Sequence, residues 1–442
     1  MPSSRLHKLL FLFFDGLCII TSVYLAYEIR FKSFGIFSGP HRPIDDIILW
    51  AVAIPVVFYI LELYNRLGIS NIVMRTFVGV MGSGFLLSIF SYLFYQFFIG
   101  RILFALEGIS IAILTTAWRV GYNFFRGQIE KTVNIILLGP KDIVFGKYDD
   151  FIKETDRFSV KQYHYNSQYE GTITFDEIAK AENAVVVFVD DPNIPAEVIQ
   201  GLVQLRLNGI TVKEISDFYE SMWGKLPVYH LRDRWFVYSR GFTAVHYDFY
   251  QRIKRLLDVG LSSIGLILTA PLMMFTATLI KIESKGSLFY KQERIGLNGK
   301  PFIMIKFRSM VQDAEKGIAV WARKGDPRVT RVGKIIRVLR IDELPQLFNI
   351  LNGDMSFVGP RPERPIFVNE LEKNIPYYTY RHLLKPGLTG WAQVNYPYGD
   401  SIEDAVRKLE FDLYYIKNAS LFLDIQVIFK TIRVVLYREG SR

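Results

Sequence analysis

The chain has 442 residues, half of them hydrophobic and 15% aromatic, with one cysteine and a formal charge of +10. These values exclude a disordered chain and any intrachain disulfide, and with a positive mean hydropathy they call for a membrane protein of two to four domains. The charge is uneven, because residues 252–340 carry 18 Lys and Arg against 6 Asp and Glu. Such a block can serve nucleic acid, anionic lipid or a diphosphate, and its place around an apolar segment favours the last two.

In chain order, apolar runs at 9–27, 47–61, 77–99 and 102–118 each approach the ~20 residues that cross a bilayer. No small-residue cleavage site follows the first, so it reads as a span rather than a removed signal peptide. Lys and Arg in the flanks, among them Arg5, Lys8, Arg119 and Arg126, total 7 on one side against 4 on the other, which places both ends of the bundle in the cytoplasm. Asp15 inside the first run marks a polar functional site, or else sits near the interface or pairs with another helix.

From Thr132 the pattern alternates. Residues 133–138, 184–189 and 210–213 read as strands, and 175–181 and 196–208 as helices, which gives a small α/β domain with a parallel sheet. Its first turn, Gly139-Pro140-Lys141-Asp142, lacks the G-x-G-x-x-G spacing that lets backbone approach a pyrophosphate. An interaction or regulatory role, through a dimer, is therefore expected of it rather than nucleotide binding. A further strand is expected at Trp235–Tyr238.

The apolar run 259–282 is long enough to span, yet cations flank both ends, and Pro271 near its middle removes a helix hydrogen bond. A re-entrant helix bent at Pro271, entering and leaving on one side, reconciles these facts. Beyond it, a strand at 302–310 is expected to turn Lys306 and Arg308 to one face and Ile303, Ile305 and Phe307 to the other. Then comes the densest charge in the chain: Arg337, Arg340, Asp342 and Glu343, followed by the proline-flanked Arg361. An Asp-Glu pair at a helix start can simply cap it. Among so many arginines the pair suits a phosphate site, one carboxylate attacking and the other holding metal or proton. Gly387, Gly390 and Trp391 form a turn whose indole could stack on a base or lie at the membrane interface. Helices at 402–417 and 421–436 close the chain, the second suited to the interface plane or to core packing. The six histidines show no zinc spacing.

Eight segments in order, KRLLD (254–258), FYKQERIG (289–296), KFRSM (306–310), DPRVTRVG (326–333), DELPQ (342–346), GDMS (353–356), GPRPE (359–363) and KPGLTGWAQV (385–394), resemble the bacterial sugar transferases, polyprenol-phosphate sugar-1-phosphate transferases of the long, exopolysaccharide-initiating type. The resemblance implies transfer of a sugar-1-phosphate from a UDP-sugar to undecaprenyl phosphate with release of UMP. It implies Asp342 as nucleophile through an aspartyl-phosphosugar, Glu343 supporting Mg²⁺ or proton transfer, and Arg337, Arg361, Lys306 and Arg308 on phosphate oxygens. Asp342 and Glu343 are then the metal ligands. The expected architecture is a membrane protein of α plus α/β class: a four-helix transmembrane bundle (1–128), a Rossmann-like α/β domain (129–246) and a mixed α/β catalytic domain (247–442) anchored by a re-entrant helix (258–282). Its expected setting is the bacterial inner membrane, multi-pass, with the catalytic domain on the cytoplasmic face, a homodimer, and no nucleic acid partner. Neither the sugar nor the glycan pathway can be read from these residues.

Overall fold

The computed structural model describes residues 4–32, 43–61, 63–64, 69–94, 101–129, 133–139, 158–164, 175–179, 181, 183–189, 194–245, 248–311, 328–397, 399 and 401–436. The protein is mostly helical and divides into two compact units, Met1–Lys131 and Thr132–Arg442.

In the first unit, α1 (Ser4–Tyr27) packs on α2 (Pro43–Ile60) and α4 (Arg101–Ile129), and α3 (Ile69–Phe94) packs on α2 and α4, closing a ring of four helices. Ile19, Val23, Trp50, Ile54, Phe58 and Ile111 fill its centre, while Phe13, Val52, Phe77, Phe85 and Ile113 face outward and exposed. Apolar side chains on both faces are the pattern of helices whose solvent is lipid. All four contain stretches long and apolar enough to cross a membrane.

Three buried polar pairs join these helices. Asp15 accepts two hydrogen bonds from Arg119, at 2.8 and 2.7 Å, and both side chains are at most 1% exposed. Of the three readings of Asp15, the structure shows the helix-to-helix pair. Arg119 is thus a core residue rather than a flanking charge, which narrows the margin of the flank tally. Trp50 donates to Glu107 at 2.9 Å and Tyr27 to Asp46 at 2.7 Å.

The second unit begins with a parallel sheet of order β2-β1-β3-β4, built from Val133–Gly139 (β1), Phe158–His164 (β2), Ala184–Phe188 (β3) and Thr211–Glu214 (β4). Helices Phe175–Ala179 and Ala196–Leu207 cover one face through Ile178, Val198, Leu202 and Leu205. Helix Ile215–Trp223 covers the other through Ile215, Phe218 and Tyr219. β2 was not expected, and the turn after Gly139 lies outside the described residues. Asp233–Tyr238 is a helix, not a strand. Its aromatic run suits either form, and in the helix Phe236 packs against the tyrosines at 377 and 380 and Trp235 against Phe242. Leu226, Val228 and Leu231 share a core with Val368, Leu371 and Leu409.

The long helix Asp248–Glu283 runs through Pro271 without a break, about 54 Å at 1.5 Å per residue. One face docks on its own unit from end to end. Tyr250 and Lys254 reach Asp424 at 3.0 and 2.8 Å, and Asp258 accepts from Ser356 Oγ and Phe357 N at 3.0 Å each. Met273, Ala277 and Ile280 pack with Phe307 and Ile336, and Glu283 accepts the amides of Arg331 and Val332. The opposite face is apolar and bare, with Ile267 and Leu268 each 74% exposed. Beside it lie an antiparallel hairpin, β5 (Phe289–Ile295) and β6 (Pro301–Phe307), and a short parallel pair, β7 (Ser356–Val358) and β8 (Gly387–Thr389). Helices Ile402–Asn418 and Leu421–Leu436 complete the unit.

Candidate active site

The carboxylate pair sits on a single 3₁₀ turn, Ile341–Glu343, between helices Arg331–Val338 and Gln346–Asn352. The chain enters the turn through Arg340 in left-handed backbone (φ 55, ψ 20), a conformation that costs a non-glycine residue energy and that surrounding packing must maintain. Thr330 caps the preceding helix by accepting from Gly333 N. Gly333 has no room for a side chain, since a Cβ would strike Ser309 O. The following helix is stitched to β6 by Asn349, which accepts from Ile305 N at 3.0 Å and donates to Ile303 O at 2.7 Å. The turn is therefore clamped on both sides.

Both carboxylates are buried, but their surroundings differ. Glu343 Oε1 accepts from Arg361 Nη2 at 2.7 Å and from Lys306 Nζ at 3.3 Å, and Arg340 lies 3.7 Å from Oε2. Burial alone would raise its pKa; Arg361, Lys306 and Arg340 outweigh burial and hold it well below the usual carboxylate range. Asp342 makes no side-chain hydrogen bond among the described residues. Burial, then the adjacent Glu343, pushes it up to about 6 against the pull of Lys306, Arg337 and Arg361. Burial also lowers Lys306, with Glu343 opposing. Two neighbouring acids with pKa values driven apart take different roles. Asp342 is more basic than a free aspartate, while Glu343 is a fixed anion that gathers cations.

Of the expected phosphate ligands, Lys306 and Arg361 meet at Glu343, and Arg337 is half-buried with its charge acting on Asp342. Arg308 is elsewhere. β6 ends at Phe307, and Arg308 donates to Ser284 O and Lys285 O at 2.8 and 2.9 Å, so it caps the end of the long helix instead of facing the pair. Ile303 on the same strand is half exposed, not buried as expected.

Residues that sequence reasoning missed hold Arg361 in place. Arg381 donates to Arg361 O and to Asp412, each at 2.9 Å, and Arg294 donates to Pro362 O at 3.0 Å. Gln346, buried one turn after Asp342, keeps an amide nitrogen with no partner among the described residues. The glycines of the 385–394 motif admit backbone: a Cβ on Gly387 or Gly390 would strike Gly359, next to the Arg361 loop. Trp391 takes neither expected position. It is buried, donates to Gly224 O at 2.7 Å and stacks on Tyr414. Helix Ile215–Trp223 is thereby tied to the site's scaffold, with Glu220 on Lys417 at 2.6 Å and Asn418 at 2.8 Å.

Residues 249–438 match the model of the family described as bacterial sugar transferase. The chain is 44% identical over 260 residues to a UDP-N-acetylgalactosamine-undecaprenyl-phosphate N-acetylgalactosaminephosphotransferase of Aeromonas hydrophila, covering 59% of this chain and 60% of that one. It is 41% identical over 190 residues to a UDP-glucose:undecaprenyl-phosphate glucose-1-phosphate transferase of Caulobacter vibrioides, covering 42% of this chain and 71% of the relative. The chain belongs to the bacterial sugar transferase family. A Klebsiella pneumoniae protein with the same name as the Caulobacter one is 44% identical over 181 residues, but only 39% of its length is spanned. The match to the family contains the carboxylate turn, the Arg361 loop and the long helix.

Proposed function

We propose that this transferase moves a sugar-1-phosphate from a UDP-sugar to undecaprenyl phosphate, the first step of a lipid-linked exopolysaccharide, capsule or O-antigen repeat. The observation that carries this is the split carboxylate pair: a basic, unbonded Asp342 beside a Glu343 that draws Lys306, Arg340 and Arg361 together. An Asp342 oxygen attacks the β-phosphorus of the donor, and the bond to the UMP oxygen breaks with its electron pair leaving on UMP. The phosphate oxygen of the polyprenyl lipid then attacks the same phosphorus and releases Asp342. Lys306 and Arg361 neutralise the charge that builds on the equatorial oxygens, as phosphoryl transfer requires. A covalent intermediate lets a water-soluble donor and a lipid acceptor use one site in turn.

Among the described residues, no three acidic, histidine or cysteine side chains converge on one point. Mg²⁺ that arrives with phosphate needs only one or two protein carboxylates, and Asp342 and Glu343 are the pair that would hold it. Bound there, it would offset negative charge on the diphosphate.

The long helix supports a monotopic anchor. Both of its ends, at Tyr250 and Glu283, bond to the same unit, which favours entry and exit on one face of the bilayer with the apolar side down. With the other four apolar helices crossing, the catalytic part stands on the cytoplasmic face of the inner membrane. Edge strands β2 and β4 are where a second copy would pair in a dimer. Purified protein in detergent, given undecaprenyl phosphate and a panel of radiolabelled UDP-hexoses and UDP-N-acetylhexosamines, tests the reading and names the sugar. Asp342→Asn should abolish both lipid product and protein-bound label. Normal turnover by a folded Asp342→Asn protein would overturn the assignment.

A further inference from the structure

Away from the carboxylate turn, Gly353 ends the 346–352 helix in left-handed backbone (φ 90). A Cβ there would lie 3.5 Å from Arg255 Nη2 and 3.5 Å from Lys385 Nζ, so a guanidinium and an ammonium both lie beside one point. Arg255 is fixed in this position because it donates to Ile350 O and Leu351 O, carbonyls in the last turn of the helix. Lys385 has no hydrogen bond or ion pair among the described residues. Asp258, which accepts from Ser356 and Phe357, and Asp354, which accepts from Asn349 at 3.4 Å, act on Lys385 from nearby and offset part of the repulsion. Burial and then Arg255 lower the pKa of the Lys385 ammonium.

Two like charges held at one point are relieved by an anion, and a phosphate is what an arginine fork and a lysine point charge bind in common. The position indicates where that phosphate comes from. Immediately past Arg255 the long helix exposes Leu256, Leu257, Val259 and Leu261, and Phe348 on the 346–352 helix is exposed as well. A cationic cradle at the rim of an outward apolar face lies at headgroup depth. We infer that Arg255 and Lys385, meeting over Gly353, bind the phosphate of a membrane lipid and that in the proposed reaction, on which this choice of lipid rests, it is the phosphate of the polyprenyl acceptor. The seven-residue helix that ends at the cradle begins three residues after Glu343, so the acceptor would wait about 10 Å, one short helix, from the aspartate it must relieve.

Acylation of lysines by an N-hydroxysuccinimide ester, read by mass spectrometry on the full chain in dodecyl maltoside micelles, reports occupancy without turnover. Added undecaprenyl phosphate should suppress labelling of Lys385 several-fold while the exposed Lys300 labels as before. Phosphatidylglycerol in its place tells whether the cradle accepts any anionic lipid phosphate, and protection by either lipid upholds the site. Protection by inorganic phosphate alone, or by none of the three, overturns it. Protection without sugar transfer would instead remove the proposed function and leave the cradle standing. In turnover, Lys385→Gln should raise KM for undecaprenyl phosphate about tenfold, the loss of one charge-assisted contact, leave KM for the UDP-sugar unchanged, and be rescued by Lys385→Arg. An equal rise in both constants would show a general structural role and defeat the inference.

Discussion

Glu343→Gln separates the roles of the two carboxylates. The change keeps the side chain's size and removes its charge, so Lys306, Arg340 and Arg361 lose their shared anion, and Lys306 and Arg361 join Arg337 in acting on Asp342 alone. The same change removes the repulsion that helps hold Asp342 at about 6. Both effects favour ionised Asp342, so its pKa must fall. Unit charges a few ångströms apart interact by several kcal/mol at an effective dielectric of about 20. Allowing for solvent at the half-exposed Arg340 and Arg361, about 1.4 kcal/mol survives, or about one pKa unit. In the parent, kcat/KM for the UDP-sugar should drop as pH falls through about 6, since a raised pKa loses the ionised nucleophile at higher pH than a free aspartate would. In Glu343→Gln the residual activity should be lower throughout, with its acid limb displaced to lower pH by about one unit. The assay is the initial rate of lipid-linked label across the pH range at fixed ionic strength. An acid limb that stays put or moves upward would show that Glu343 does not set the basicity of Asp342.

Trp391→Phe keeps the stack on Tyr414 but leaves Gly224 O without its donor, and should lower the thermal stability of the second unit by about 1–3 kcal/mol; an unchanged melting curve would mean that the indole bond contributes nothing. Asp15→Asn should destabilise the four-helix unit in detergent by about 3–5 kcal/mol, whereas replacing both Asp15 and Arg119 by leucine should cost less; a double variant worse than the single would refute the idea that an uncompensated charge is the cause. In a Cys18→Ser background, cysteines placed singly at Arg240 and Lys285 should react with an impermeant maleimide from the same side of sealed vesicles. Opposite sides would refute the monotopic reading of the long helix.

The carboxylate turn was legible because its chemistry is local. Asp342 and Glu343 are adjacent in sequence, Arg337 and Arg340 lie within two turns, and prolines fix the backbone around Arg361. Lys306 was legible by strand alternation, and Arg308 was misplaced by the same rule, since alternation holds only while the strand lasts and β6 stops at Phe307. Trp391 and Arg119 show another limit. An indole and a guanidinium are amphipathic, so sequence position near an expected interface looks the same as a partner far along the chain. Their partners, Gly224 and Asp15, are 167 and 104 residues away, and no pattern in a single sequence marks them. Arg381, Arg294 and Asn349 were missed for a related reason, because each acts on a backbone carbonyl or amide, and backbone carries no signature in the residue string.

The bonds that fasten the long helix at Tyr250, Lys254, Asp258 and Glu283 also make it a ruler. If its bare apolar side rests in one leaflet, the distance from the acyl boundary to Asp342 is set by protein contacts alone. A full crossing would have to tilt or stretch when the bilayer thins or thickens; a helix clamped along its length to the domain above it would not. The proposed transfer should then be indifferent to acyl chain length and responsive to the charge and crowding of the headgroups, so its rate would follow the composition of the membrane surface and not the membrane's thickness.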